Sequence, residues 1–430
     1  MWWLIALLSL APGCSQAGSF PESLEPASLR VEARHGDSVR ATADGVPVLV
    51  LRGTHRQRGE AHGMLAAREI IDVIGRALAP VVNRHSPRAW DDSFLPAARR
   101  FRLAPRYRKE LAGMLDGIRR ALPDPADRRL RSLDREIGPD DLHALQCLGD
   151  VMGMQCSTIT VWGRLTDDGG PLTARNLDYA AFPIHRYALV IAAEPAEAGL
   201  RPTVEFSAAG FVGASTTMSA DGVFVAIHDV RGATAPTARS GLTARLPALR
   251  TALESARPAH AVADLAKALK GTKPALGSNV HVSLPRGSDG PATPAAVIEW
   301  EAAAGQRTNG VAVRTVRRPS DDDEPFILCT NHHATRHAHD PHRRPDSRAR
   351  AERLARAARI AVENGRTIGG GEACGLLDSV CKRGRVVTHL SAIAWPDRAT
   401  VAFAVSPAPG AAATGGQWRA VNIGEIFKLK

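Results

Sequence analysis

The sequence predicts a layered α+β domain preceded by a mainly helical segment. Three observations lead there. Up to about residue 150 apolar side chains recur at helical spacing; at Cys156 the pattern turns abruptly to short β-branched strands; helix pairs then return between further strands.

The opening "MWWLIALLSLAPGCSQAGS" (residues 1–19) has an apolar core too short to span a bilayer and reads as an export or lipoprotein signal. Cys14 is the candidate lipid tether, so the chain is expected to be exported: periplasmic, lipid-anchored or secreted. Residues 20–44 are polar and mixed and read as a linker, followed by a short buried strand, "GVPVLVLRG". Met64, Ile70, Ile71, Ile74 and Leu78 then mark an amphipathic helix, a second covers about 96–122, and "GPDDLHALQCLGDVMG" forms a third with Asp140 near its start. Residues 45–155 are therefore mainly helical, and they are the expected pro-segment under the family resemblance given below.

From 156 to 430 the texture is that of the main domain. "STITVWGRL", "PLTARNLDY", "YALVIAAEP", "TVEFSAAG" and "GVFVAIHDV" are strands, joined by Asp-Gly-Gly and Ala-Asp-Gly turns suited to hairpins. Helices are expected at about 243–256 and in "PAHAVADLAKALKG", with strands near 278–284, 294–301 and 326–330. A basic helix starts at Asp346 or Ser347 and ends at Gly365, and a last hairpin turns at Pro396-Asp397.

Composition narrows the partners. The net charge of +11 rests on scattered arginines, aromatics make up 5%, and no nucleic-acid-binding motif is present, which argues against a nucleic-acid partner. Beyond the leader no stretch is apolar and long enough for a transmembrane helix. The six cysteines (14, 147, 156, 329, 374 and 381) contain no Cys-x-x-Cys, and spacing alone leaves a Cys374–Cys381 disulfide open. "IGGGEACG" lacks the Lys-Ser/Thr of a phosphate loop and reads as a flexible turn.

"CSTITVWGRLTDDGGPLTARNLDY" looks like the beginning of a protein set in the middle of one. Cutting the Gln155–Cys156 bond would give one residue both a thiol, with a pKa near ~8.5, and an α-amine near ~7.7–8.0. Nucleophile and base then share a residue. Arg175 would favour the thiolate and Asp178 would hold the new ammonium. Residues three apart in a regular strand face opposite ways, so aiming both at Cys156 calls for a bulge or an early strand end. The competing reading is a buried small hydrophobe beside a surface ion pair.

The stretch resembles the start of the mature chain in N-terminal-nucleophile hydrolases of linear amides, the choloylglycine hydrolase, penicillin V acylase and acid ceramidase group. It looks most like the autoproteolytic acyl-CoA:6-aminopenicillanate (isopenicillin-N) acyltransferase family. The similar segments are "GTHRQRGEAHG", "CSTITVWGR…TARNLDY", "LPALRTALESA", "VIEWEA" and "CTNHHA". The resemblance implies a four-layer αββα sandwich and a cysteine-nucleophile amidohydrolase or acyltransferase, cut by itself after Gln155, acting on a small acyl amide or acyl-CoA-like substrate without cofactor or metal. It implies Cys156 as nucleophile, Arg175 and Asp178 as the residues that tune it, and Asn331 as oxyanion donor. Arg348 would be the active-site arginine. Where relatives carry asparagine this chain has His228, a candidate second oxyanion donor, and Ser219; Gln155 is also not the usual residue before the cut.

Other readings remain open at this stage. His332, His333, His337, His339 and His342 form a His-rich loop (332–342) that would suit a metal-binding surface lipoprotein or a metal-dependent hydrolase, although no His-Glu-x-x-His is present. A non-catalytic binding protein on the same scaffold is a third. Glu299 is either a substrate contact or a strand-end ion pair, and "SDDDEP" an exposed acidic loop.

Overall fold

Two β-sheets lie face to face, each covered outside by helices, in a computed structural model that describes residues 20–21, 23–84, 86–231, 240–287, 293–302, 310–316, 324–336 and 345–430. The sheet strands are β1 (Leu29–His35), β2 (Ser38–Ala43), β3 (Val46–Gly53), β4 (Gln155–Val161), β5 (Leu172–Ala180) and β6 (Ala188–Pro195). They continue with β7 (Thr203–Ala208), β8 (Thr216–Ser219), β9 (Phe224–Val230), β10 (Gly277–Ser283) and β11 (Ala295–Trp300). Last come β12 (Val311–Arg314), β13 (Phe326–Cys329), β14 (Val386–Trp395), β15 (Thr400–Val405) and β16 (Arg419–Asn422). The larger sheet has ten strands in the order β1-β2-β3-β6-β7-β8-β9-β10-β11-β12, and the smaller has six, β13-β4-β5-β14-β15-β16. Neighbours are antiparallel except β3 and β6, which run parallel.

Strand alternation sorts the side chains into three apolar layers. Val48, Val190, Phe206 and Phe224 of the larger sheet meet Leu390, Ala392 and Phe403 of the smaller one between the sheets. On the outer face of the larger sheet Leu49, Ile191 and Val225 pack under α1 (His55–Leu65), α2 (Pro105–Ala121), α3 (Leu148–Met152), α4 (Arg245–Ser255) and α5 (Ala261–Leu269). Ile159, Ala174 and Ile393 pack outward against Leu354, Ala358 and Leu377 of α6 (Pro345–Glu363) and α7 (Gly370–Val380). These are the four layers the sequence implied.

The glycine spacing of "GEAHG" has a direct cause. α1 and α2 cross so closely that a Cβ on Gly63 would lie 2.1 Å from the Met114 carbonyl oxygen, and one on Gly117 2.1 Å from that of Glu60. Only glycine fits.

Several sequence expectations change. Residues 20–44 are not a linker, because β1 and β2 lie within them and add to the larger sheet through β3. Nor is the sandwich confined to 156–430, since everything from β1 to α3 belongs to it. β4 and β5 pair antiparallel as expected, but the connection runs from Trp162 to Pro171, where Asp168 accepts a hydrogen bond from the Gly170 amide at 2.9 Å. Cys374 lies in the middle of α7 and Cys381 just past its C-terminal end, and both are free thiols. The leader 1–19 with Cys14, most of the acidic loop, and His337, His339 and His342 lie outside the described residues. No described helix is long and apolar enough to cross a membrane.

Candidate active site

The β4–β5 register builds the site. Cys156 stands opposite Leu177, Thr158 opposite Arg175 and Gln155 opposite Asp178. Side chains of even number on β4 face the larger sheet, where Thr158 bonds His228 at 2.8 Å. Those of odd number face α6 and α7, where Ser157 bonds Arg350 and Ile159 packs on Leu354. Arg175 therefore comes to the thiol's face, and Asp178 to the other.

No bulge interrupts this pairing, so the arrangement differs from the expected one in which both aim at the sulfur. Burial raises the Cys156 thiol to about 11, and the positive charge of Arg175 on the same face pulls against it. Asp178 sits beside the backbone of the Gln155–Cys156 bond instead. Its Oδ1 accepts from the Thr388 hydroxyl at 2.6 Å, while Oδ2 is buried with no hydrogen-bond partner. Burial raises this carboxyl to about 6, against the pull of Arg350. An acceptor left unpaired inside a protein costs free energy, on the order of 1–3 kcal/mol.

β13 pairs with β4 so that Cys329 faces Thr158, which carries the next residues alongside Cys156. Asn331 Oδ1 accepts from the Cys156 amide at 2.9 Å, and Nδ2 donates to the carbonyls of Asp229 at 2.9 Å and Met154 at 3.3 Å. In the unbroken chain Asn331 thus holds the backbone on both sides of the expected cut. Glu299, weighed as a substrate contact, accepts from the amides of Ala334, Thr335 and Arg336 at 2.7, 2.8 and 2.9 Å and so shapes the loop that follows Asn331.

The arginine of the site is Arg350, not Arg348. Its Nη1 donates to the Cys156 carbonyl at 2.7 Å and to Ser157 Oγ at 2.6 Å, and its Nη2 to Asn331 Oδ1 at 2.9 Å. Ser347, Arg350, Leu354 and Ala358 form the buried face of α6, whereas Arg348 is turned by about 100° from Ser347. There Arg348 adds to the burial that lowers the His332 pKa to about 4.

His228 does not serve as an oxyanion donor. Its Nδ1 lies 3.2 Å from the Asn279 carbonyl, which can only accept, so the ring proton is there. Nε2 is then a bare acceptor, taking hydrogen bonds from Thr158 Oγ1 at 2.8 Å and weakly from Arg175 at 3.5 Å. Burial holds the ring well below its ordinary pKa, hence neutral. Ser219 caps a turn, accepting from the Val223 amide at 3.2 Å.

Among the described residues no three His, Cys, Asp or Glu side chains converge as metal ligands. His332 is bonded to Ser347 Oγ at 2.8 Å and His333 to the Ser278 carbonyl at 3.2 Å.

Two supporting groups escaped the sequence. Glu205 accepts from Ser215 Oγ at 2.5 Å and from the Thr217 hydroxyl, fixing the stretch whose Ser215 carbonyl and Thr216 hydroxyl hold Arg175 at 3.1 and 2.7 Å. Arg245 bridges Asp150 and Asp229, each at 2.6 Å, and Asp229 also accepts from the Met154 amide. A carboxylate inside a strand buried on both faces was the only available signal for Glu205.

Beside Cys156 a mainly apolar cavity opens between the sheets, lined by Leu148, Met154, Leu177, Phe206, Phe211 and Leu390 among others. Its accessible space is about 90 Å³, several times the ~10–15 Å³ that one water needs on that measure. The thiol is fully buried and does not line it.

No family model and no curated protein matches the chain. Among solved structures it is similar to the Caenorhabditis elegans ortholog of N-acylethanolamine-hydrolyzing acid amidase, with 16% identity and a TM-score of 0.38 over 56% of this chain and 93% of that one. It is also similar to a mutant of the conjugated bile acid hydrolase from Clostridium perfringens, with 10% identity and a TM-score of 0.39 over 63% of this chain and 93% of that one.

Proposed function

We propose that the protein is an amidohydrolase or acyltransferase whose nucleophile is the Cys156 thiol and which cuts itself between Gln155 and Cys156. The observation that carries this reading is the buried, unpaired Asp178 Oδ2 standing across the strand from that bond, with Asn331 and Arg350 gripping Cys156 N and O.

In the first reaction the sulfur attacks the Gln155 carbonyl carbon, the C–N bond breaks, and the proton passes to the Cys156 nitrogen. Water then hydrolyses the thioester, leaving a Gln155 carboxylate and a Cys156 ammonium that Asp178 and Asn331 Oδ1 receive. In the mature enzyme the neutral α-amine takes the thiol proton, and the thiolate attacks a substrate acyl carbon. Departure of Met154 frees Asn331 Nδ2 to donate to the oxyanion, and its bond to Met154 is the longest of those the side chain makes. The amine returns the proton to the leaving group, and water or an acceptor amine resolves the acyl-enzyme.

The cavity is suited to an apolar acyl group. Met154 is both part of its wall and two residues before the proposed cut, so scission would free that part of the wall to move. Small acyl amides are the proposed substrates, acyl thioesters such as acyl-CoA a variant of the same chemistry. The same proposal puts the enzyme outside the cytoplasm, on the strength of its apolar leader.

Mass spectrometry of purified protein tests this: a chain beginning at Cys156 is expected, absent in Cys156→Ala. An intact wild type with no acyl-transfer activity refutes it.

A further inference from the structure

The cavity is apolar except at one side. Tyr179 spends its hydroxyl on the Leu148 carbonyl at 2.9 Å and Ser215 its own on Glu205 at 2.5 Å. His389 and His185 also line the space, and each keeps a buried Nδ1 with no hydrogen-bond partner.

His389 is placed there by a backbone irregularity. Thr388 pairs with Asp178 and Leu390 with Leu177, so His389 is the extra residue of a β-bulge, a device that re-aims a side chain. Its Nε2 lies 2.8 Å from the Ala180 carbonyl, which fixes the proton on Nε2 and leaves Nδ1 a bare acceptor. The residue is 7% exposed, so water does not satisfy that lone pair freely. β14 lies two strands from β4, which sets His389 about 10 Å from Cys156 across the sheet.

We infer that His389, with His185 beside it, selects apolar acyl groups that carry a hydrogen-bond donor, a hydroxyl or amide N–H, about 10 Å from the carbonyl that Cys156 attacks. This rests on the acyl-transfer reading of Cys156. A ligand that brings a donor recovers a hydrogen bond that a plain alkyl chain forfeits, a difference of roughly tenfold in affinity.

Calorimetry with octanoic and ω-hydroxyoctanoic acids measures this without turnover. The hydroxy acid is expected to bind roughly tenfold tighter, and equal or weaker binding overturns the inference. In His389→Phe the ratio should fall to near one; an unchanged ratio removes His389 from the role. Because the wild-type ratio stands alone, a variant that fails to fold does not rescue the idea. Hydrolysis of the two corresponding p-nitroanilides separates this from the reaction itself. A protein never cut after Gln155 that still prefers the hydroxy acid would lose the chemistry and keep the pocket. A cut, active enzyme without preference would lose the pocket and keep the chemistry.

Discussion

Replacing Arg350 by Gln should cripple self-cleavage, while Arg348→Gln should leave it within a few-fold of wild type. Arg350 makes charge-assisted hydrogen bonds of 2.7, 2.6 and 2.9 Å to the Cys156 carbonyl, Ser157 and Asn331. Its side chain is 5% exposed, so solvent cannot substitute for it. Asn331 Oδ1 would lose the donor that orients it, and with it the hold on the Cys156 amide. Removing one oriented donor of this kind costs roughly 10²–10³ in rate. A hydrogen bond from a charged group is worth roughly 1.5–3 kcal/mol, so stability should fall as well. The assay is an intact-mass time course of refolding precursor, with melting curves alongside to separate slow chemistry from lost fold. If Arg350→Gln cleaves at the wild-type rate, or if Arg348→Gln is the impaired variant, the reasoning about the inward face of α6 is wrong.

Asp178→Asn should slow the mature enzyme by roughly 10²-fold or more, as expected for a group that sets the state of the catalytic amine, without lowering the melting temperature, since a buried and poorly paired charge is removed. Active-site titration with steady-state kinetics checks it. Glu205 is raised by burial from 4.5 to about 7, so the stability it lends is complete below 4.5 and is lost as pH rises through about 7. Glu205→Gln should therefore gain on wild type by about 3 kcal/mol across that window, read from denaturant midpoints at several pH values. Gly63→Ala drives a methyl to 2.1 Å from the Met114 carbonyl and should cost at least about 2 kcal/mol. Thermal unfolding would show it, and an unchanged midpoint would mean that the α1–α2 contact is looser than described.

Much of the architecture could be read from residue order because it depends on local patterns. β-branched runs around Cys156, the helix from Asp346 and the hairpin at Pro396-Asp397 all appear where periodicity and turn residues put them. What escaped depends on contacts distant in sequence. β1 and β2 look polar because one face of that sheet edge is solvated, and their pairing with β3, whose parallel neighbour β6 lies far along the chain, is invisible to a local window. Arg350 is legible in the sequence where Arg348 is not, since Ser347, Arg350, Leu354 and Ala358 share the spacing of one helical face. His228 failed for a different reason. Its residue type allows donation, but only the position of the Asn279 carbonyl reveals which nitrogen holds the proton.

The parallel seam between β3 and β6 joins what cleavage would divide. Severing the chain at Gln155 leaves three strands and a helical layer of the first piece embedded in a sheet completed by the second. Neither piece can be made alone without baring a raw sheet margin, so a gene trimmed to begin at Cys156 should yield aggregate instead of a constitutively active enzyme. On the proposed cleavage, scission would have to follow assembly, which would give the fold a built-in order of events.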